Sequence, residues 1–133
     1  MTHPFRPAAH LRREEQRLRR AGIASWVALA GLDDARLRDL AASGEASEAR
    51  LIRLRGQARL VSAVGLAPEE AALLLHGGIA SPAGLAAADP QQLLVQLGRL
   101  QRRLTGSAVP PVDLPLVLSW IRRARQASGR SPN

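Results

Sequence analysis

The residues best equipped for chemistry in this chain are its arginines. There are 19 basic residues, all arginine, against 11 acids, for a formal net charge of +8. A guanidinium presents a planar fork of donors that matches phosphate and carboxylate alike. A balance this basic attracts phosphates, acidic proteins and anionic membrane surfaces, and composition does not choose among them. The arginines cluster. Arg12, Arg13, Arg17, Arg19 and Arg20 crowd one segment, Arg50, Arg53, Arg55 and Arg59 a second, Arg99, Arg102 and Arg103 a third, and Arg122, Arg123 and Arg125 a fourth. Little acid lies near the second. The candidate basic binding face is therefore Arg50, Arg53, Arg55 and Arg59, joined by Arg99, Arg102 and Arg103. Each cluster also has a plainer reading as the solvated face of a helix. No aromatic residues interleave with the arginines in the way that stacks single-stranded bases.

Other chemistry is sparse. With no cysteine, disulfides, thiolate metal sites and cysteine nucleophiles are excluded. His3 and His10 lie near the N-terminus. His76 precedes Gly77-Gly78, where an imidazole suits a helix C-terminus. Asp33-Asp34 and Glu69-Glu70 read as helix-start acids, and no phosphate-loop or nucleophile motif occurs. The expectation is a non-enzymatic protein with no cofactor and no metal.

The elements that would position these side chains follow from an internal repeat. At an offset of 56 residues, Glu14, Leu18, Gly22, Ile23, Ala24, Ser25, Leu29, Ala30, Asp33 and Leu37 fall on Glu70, Leu74, Gly78, Ile79, Ala80, Ser81, Leu85, Ala86, Asp89 and Leu93. Two tandem copies of a helical unit are the natural reading. Gly22 and Gly78 follow apolar-periodic segments, where a helix ends on a left-handed residue. Ile23 and Ile79 then turn into the core. Ser25, Ser81, Asp33 and Asp89 are N-caps, with Pro82 and Pro90 at first helical positions.

Further helices follow from spacing. Leu93, Leu97, Leu100 and Leu104 form one stripe, and Leu51, Leu54, Ala58 and Val61 form another that begins after Ser47. A last helix from about 114 to 126 is expected to bury Val117, Leu118, Trp120, Ile121 and Ala124, after a break at Pro110-Pro111. Nothing alternates with period two over a strand length. The fold class is all-α, with two helix-hairpin-helix-like modules at 7–62 and 63–127 packed as one domain, and disordered tails at 1–6 and 128–133. The length of 133 residues suits one compact domain. No stretch reads as a membrane span or signal peptide, so the expected location is cytoplasmic.

The segment Arg59 to Ser81, with its Leu73-Leu-Leu-His76-Gly-Gly-Ile-Ala-Ser81, resembles the family called domain of unknown function 4332, as do Leu100-Gln-Arg-Arg-Leu104 and Trp120-Ile-Arg-Arg-Ala-Arg125. That resemblance spans roughly residues 10–126 and implies a tandem helix-hairpin-helix-like fold without implying an activity. In the wider helix-hairpin-helix class a glycine-bearing hairpin offers backbone N–H groups to a phosphate. The matching stretch here is Val61-Ser62-Ala63-Val64-Gly65, which keeps only Gly65, and Glu69 and Glu70 follow to repel an anion. Gly22, Gly65 and Gly78 are accordingly structural turn residues. The functional expectation is a small adaptor with a basic surface and an acidic protein partner. The alternative is sequence-non-specific nucleic-acid binding through the arginine faces.

Overall fold

The computed structural model describes residues 3–103 and 112–129 of the 133. All regular structure there is helical. After a 3₁₀ turn at Ala9–Leu11 come α1 (Arg12–Arg20), α2 (Trp26–Ala30), α3 (Asp34–Ala41) and α4 (Glu48–Arg59). A π-helical segment, Leu60–Val64, extends α4. Then follow α5 (Pro68–His76), α6 (Pro82–Ala86), α7 (Pro90–Arg103) and α8 (Leu114–Gly129).

Residues separated by 56 open and close the same helices. α1 ends with Gly22 N–H donating to the Arg19 carbonyl at 3.0 Å and Ile23 N–H to the Leu18 carbonyl at 2.9 Å. α5 ends with Gly78 N–H on Leu75 at 3.0 Å and Ile79 N–H on Leu74 at 2.9 Å. This paired pattern needs a left-handed residue at the glycine, and φ is +83° at Gly22 and +89° at Gly78. The next helices start alike. The Ser25 hydroxyl accepts from Ala28 N–H at 3.1 Å, and the Ser81 hydroxyl from Gly84 N–H at 3.0 Å. The Asp33 and Asp89 carboxylates accept from the Arg36 and Gln92 N–H groups at 2.8 and 2.9 Å.

The last helix of each half breaks that frame. α8 corresponds to α4 at an offset of 66, because the third helix and the connection after it are together ten residues longer in the second half. At this offset Leu51 pairs with Val117, Leu54 with Trp120 and Ala58 with Ala124, and all six are fully buried. α4 packs on α2 as α8 packs on α6. One continuous core results, and it includes the fully buried Trp26, Leu54, Leu60, Leu74 and Trp120. Its walls come close at Gly56, where an added Cβ would sit 2.6 Å from the Ala80 carbonyl oxygen. Only a glycine lets α4 approach the α5–α6 turn that tightly.

Three sequence expectations change. Residues 3–6 are not a free tail. Phe5 is buried edge-on against Trp26 with ring centroids 4.9 Å apart, and the Trp26 indole donates to the Pro4 carbonyl at 2.9 Å. An aromatic ring gains enough from burial to tie down a short terminus. Leu118, expected in the core, is 46% exposed. It lies about 100° around α8 from Val117, just outside the buried stripe. The boundary expected between 62 and 63 falls inside the π-helical segment, which runs on to Val64 and stops at the left-handed Gly65. At the C-terminus the helix continues to Gly129; 130–133, Leu104 and Pro110-Pro111 lie outside the described residues.

Candidate functional site

The expected basic face divides in two. Arg50 and Arg53 are exposed on the outer side of α4, and their guanidinium groups bind nothing among the described residues. Arg55 and Arg59 turn inward. Arg55 is 8% exposed, donates to the Leu32 carbonyl at 3.2 Å and pairs with the Asp34 carboxylate at 2.7 Å. Arg59 is half-buried and donates to the Ala30 carbonyl at 3.2 Å. Both sit on the side of α4 that faces α2, where short helices leave carbonyls without partners. The hydrogen bond and charge of Arg55 hold the Asp34 carboxyl below the usual carboxylate range. Burial, then the neighbouring Arg55 charge, lowers the Arg59 guanidinium.

The same use of arginine recurs. Arg17 donates to the Leu40 carbonyl at the end of α3 at 3.1 Å, and Arg13 to the Gly44 carbonyl at 2.8 Å. Arg125 donates to the Ala86 carbonyl at the end of α6 at 3.1 Å, as Arg59 does to Ala30 at the end of α2. Arg123 donates to the Gly65 carbonyl at 3.2 Å. Arg19 reaches both Glu15 and the Phe5 carbonyl, and Arg20 pairs with Glu45. A cation on the last carbonyls of a helix satisfies an acceptor and opposes the dipole. α2 and α6 have only five residues each, so each gains proportionately from such a partner. Much of the positive charge is therefore structural. Charge counting misses this; one clue was available, since Arg55 lies four places after Leu51 and three before Ala58, at helical spacing from the α4 stripe.

Of the second set, Arg99 and Arg102 are exposed on the outer face of α7 and make no hydrogen bond or ion pair among the described residues. Arg103 ends α7, and its side chain lies outside the described residues. α7 packs on α5 and α8, whereas α4 packs on α2, α3 and α5. The two arginine sets thus occupy separate helices without substantial packing between them.

The turn at Gly65 has φ +82°, as a tight reversal requires. Its amides are already used. Gly65 N–H donates to Val61 at 3.1 Å, Leu66 N–H to Leu60 at 3.4 Å, and Ala67 N–H to the Glu70 carboxylate at 2.9 Å. A phosphate would have to displace these partners and meet Glu69 and Glu70 in the first turn of α5. His76 is exposed in the last turn of α5. Among the described residues no three His, Asp or Glu side chains converge as a metal site, and no helix is long and apolar enough to cross a membrane.

No curated protein and no solved structure matches the chain. One family does, over residues 9–127, which takes in every helix from the opening 3₁₀ turn to the body of α8. The paired glycine stops, the serine and aspartate caps and the Trp120 segment all fall within that span. The chain belongs to the family described as Domain of unknown function (DUF4332).

Proposed function

We propose that the protein is a non-enzymatic helical interaction module that binds an acidic protein partner through exposed arginine side chains. The observation that carries this reading is the contrast between the Gly65 turn and the outer arginines. The turn amides are occupied and guarded by carboxylates. Arg50, Arg53, Arg99 and Arg102 remain open to solvent. Recognition of an anion then falls to side chains and not to hairpin backbone. Carboxylates on a partner surface suit such dispersed guanidinium forks. The module would reside in the cytoplasm.

The test is capture from native lysate by the immobilised protein, with and without nuclease. An acidic protein retained after nuclease treatment, and lost when Arg50 and Arg53 are both changed to Glu, supports the reading. Capture that disappears with nuclease replaces it with nucleic-acid binding. A titration on a short DNA duplex would then show log K falling by about 0.9 per neutralised phosphate as log salt rises.

A further inference from the structure

The two halves differ at one equivalent place. In the first half the Arg55 guanidinium bridges Asp34 and the Leu32 carbonyl, joining α4 to the start of α3. At the corresponding offsets the second half has Ile121 for Arg55 and Pro90 for Asp34. No ion pair can form there. An open notch of about 510 Å³ remains between the start of α7 and the outer side of α8, lined by Pro90, Leu118, Ile121, Arg122, Arg125 and Gln126. Its exposed apolar anchor is Leu118, at 46%. Arg122 and Arg125 stand on its rim, and no acid lines it among the described residues.

From this geometry we infer that the α7–α8 notch docks an acidic amphipathic helix of a partner protein, with an apolar residue against Leu118 and Pro90 and carboxylates on Arg122 and Arg125. The inference rests on the acidic-partner reading above and adds to the contact with Arg50 and Arg53 a second, partly apolar one on α8. Charge decides the occupant. Pairing two copies of the notch would set Arg122 and Arg125 against themselves in a molecule of net charge +8. A helix with apolar residues at i, i+3 and i+4 flanked by Glu complements both floor and rim. Arg125 is already oriented by its bond to Ala86, so less side-chain freedom is lost on binding.

The probe is a fluorescein-labelled synthetic peptide of about 18 residues, with leucines at i, i+3, i+4 and i+7 and glutamates elsewhere. A labelled polyglutamate of equal charge serves as its apolar-free counterpart. The expected result is that the leucine peptide binds at least about tenfold more tightly than polyglutamate, and that Leu118→Glu removes this advantage. Ile52→Glu, at the equivalent exposed position of α4, should leave it intact. Circular dichroism checks that each variant is folded, and Arg122→Ala, which alters only an exposed side chain, provides a second variant expected to weaken the leucine peptide severalfold. Equal binding of both probes, unchanged by Leu118→Glu and Arg122→Ala, overturns the notch while the acidic-partner reading survives. Failure of both probes at low salt overturns both. Binding to anionic vesicles that depends on Leu118, without peptide binding, replaces the partner helix with a lipid surface and also overturns the inference.

Discussion

The halves 12–64 and 68–129 solve one packing problem with different side chains. Each sets a glycine-stopped helix, a five-residue helix and a capped third helix against a long closing helix. Each ties the closing helix to the short one by an arginine on its final carbonyl, Arg59 on Ala30 and Arg125 on Ala86. Where contacts are backbone caps, the halves agree almost atom for atom. Where contacts are side chain to side chain, they diverge: Leu54 against Trp120, and the Arg55–Asp34 pair against Ile121 and Pro90. Backbone geometry tolerates few residue types at a helix end. A packed face accepts any set of side chains that fills the volume.

The largest test of this correspondence is at the core. Trp120→Ala should cost about 3–5 kcal/mol and Leu54→Ala about 2–5 kcal/mol by denaturant unfolding, since each leaves a cavity in a fully buried position. If one is tolerated while the other unfolds the chain, α4 and α8 are not equivalent members of one core.

The second test uses a place where the halves must differ. An alanine in a helix ordinarily improves on glycine by up to about 1 kcal/mol. At Gly56 the added Cβ meets the Ala80 carbonyl oxygen at 2.6 Å, and overpacking of that kind costs about 1–3 kcal/mol. The clash is against backbone and should win, so Gly56→Ala lowers the melting temperature. Arg122→Ala, the equivalent exposed site, should stay within about 0.5 kcal/mol of the parent. A stabilised Gly56→Ala would show that α4 can move away from the α5–α6 turn at little expense.

The third test strikes where the halves agree. Gly22→Val and Gly78→Val should each cost more than about 1 kcal/mol, because a β-branched residue resists the left-handed region. Neither added Cβ would touch another atom within 4 Å, so the penalty is conformational and should be similar at both sites. Unfolding that matches the parent at either site would remove the shared helix stop.

These three tests also separate what the residues disclosed from what they concealed. Gly22, Gly78, Ser25, Ser81, Asp33 and Asp89 act through their own backbone neighbourhood, so their spacing in the chain was enough to place them. The relation between α4 and α8 was hidden because ten extra residues shift its frame from 56 to 66. Phe5 was hidden for another reason: its partner Trp26 is 21 residues away, and a lone aromatic near a terminus carries no periodicity. The arginine face was half legible. Clustering located Arg50, Arg53, Arg99 and Arg102 on outer surfaces. It could not show that Arg55 and Arg59 meet carbonyls across the core, since those acceptors belong to main chain and leave no mark in composition.

The smallest effect lies at the pair that distinguishes the halves. Arg55→Ile copies the second half into the first. It exchanges a buried cation for an apolar side chain and releases Asp34, whose side chain is 73% exposed, into water. Asp34 is left solvated and not buried, and an ion pair with one exposed member contributes little, so the melting temperature near pH 7 should fall only slightly. The pH dependence should change more clearly. In the parent, the hydrogen bond and charge of Arg55 lower the Asp34 carboxyl below its ordinary value. A group lowered in the folded state contributes stability that is complete above its unfolded value, near pH 4, and that is lost as pH falls through the lower folded value. Arg55→Ile abolishes that contribution at every pH. The difference in melting temperature between parent and variant should therefore be constant above about pH 5 and shift in favour of the variant as the carboxyl protonates. Asp34→Asn in the parent background should flatten the same acid limb. Curves for parent and Arg55→Ile that stay parallel from pH 7 down to about pH 2.5 would show that the ion pair leaves the Asp34 titration untouched and that the divergence of the halves at this place is one of shape alone.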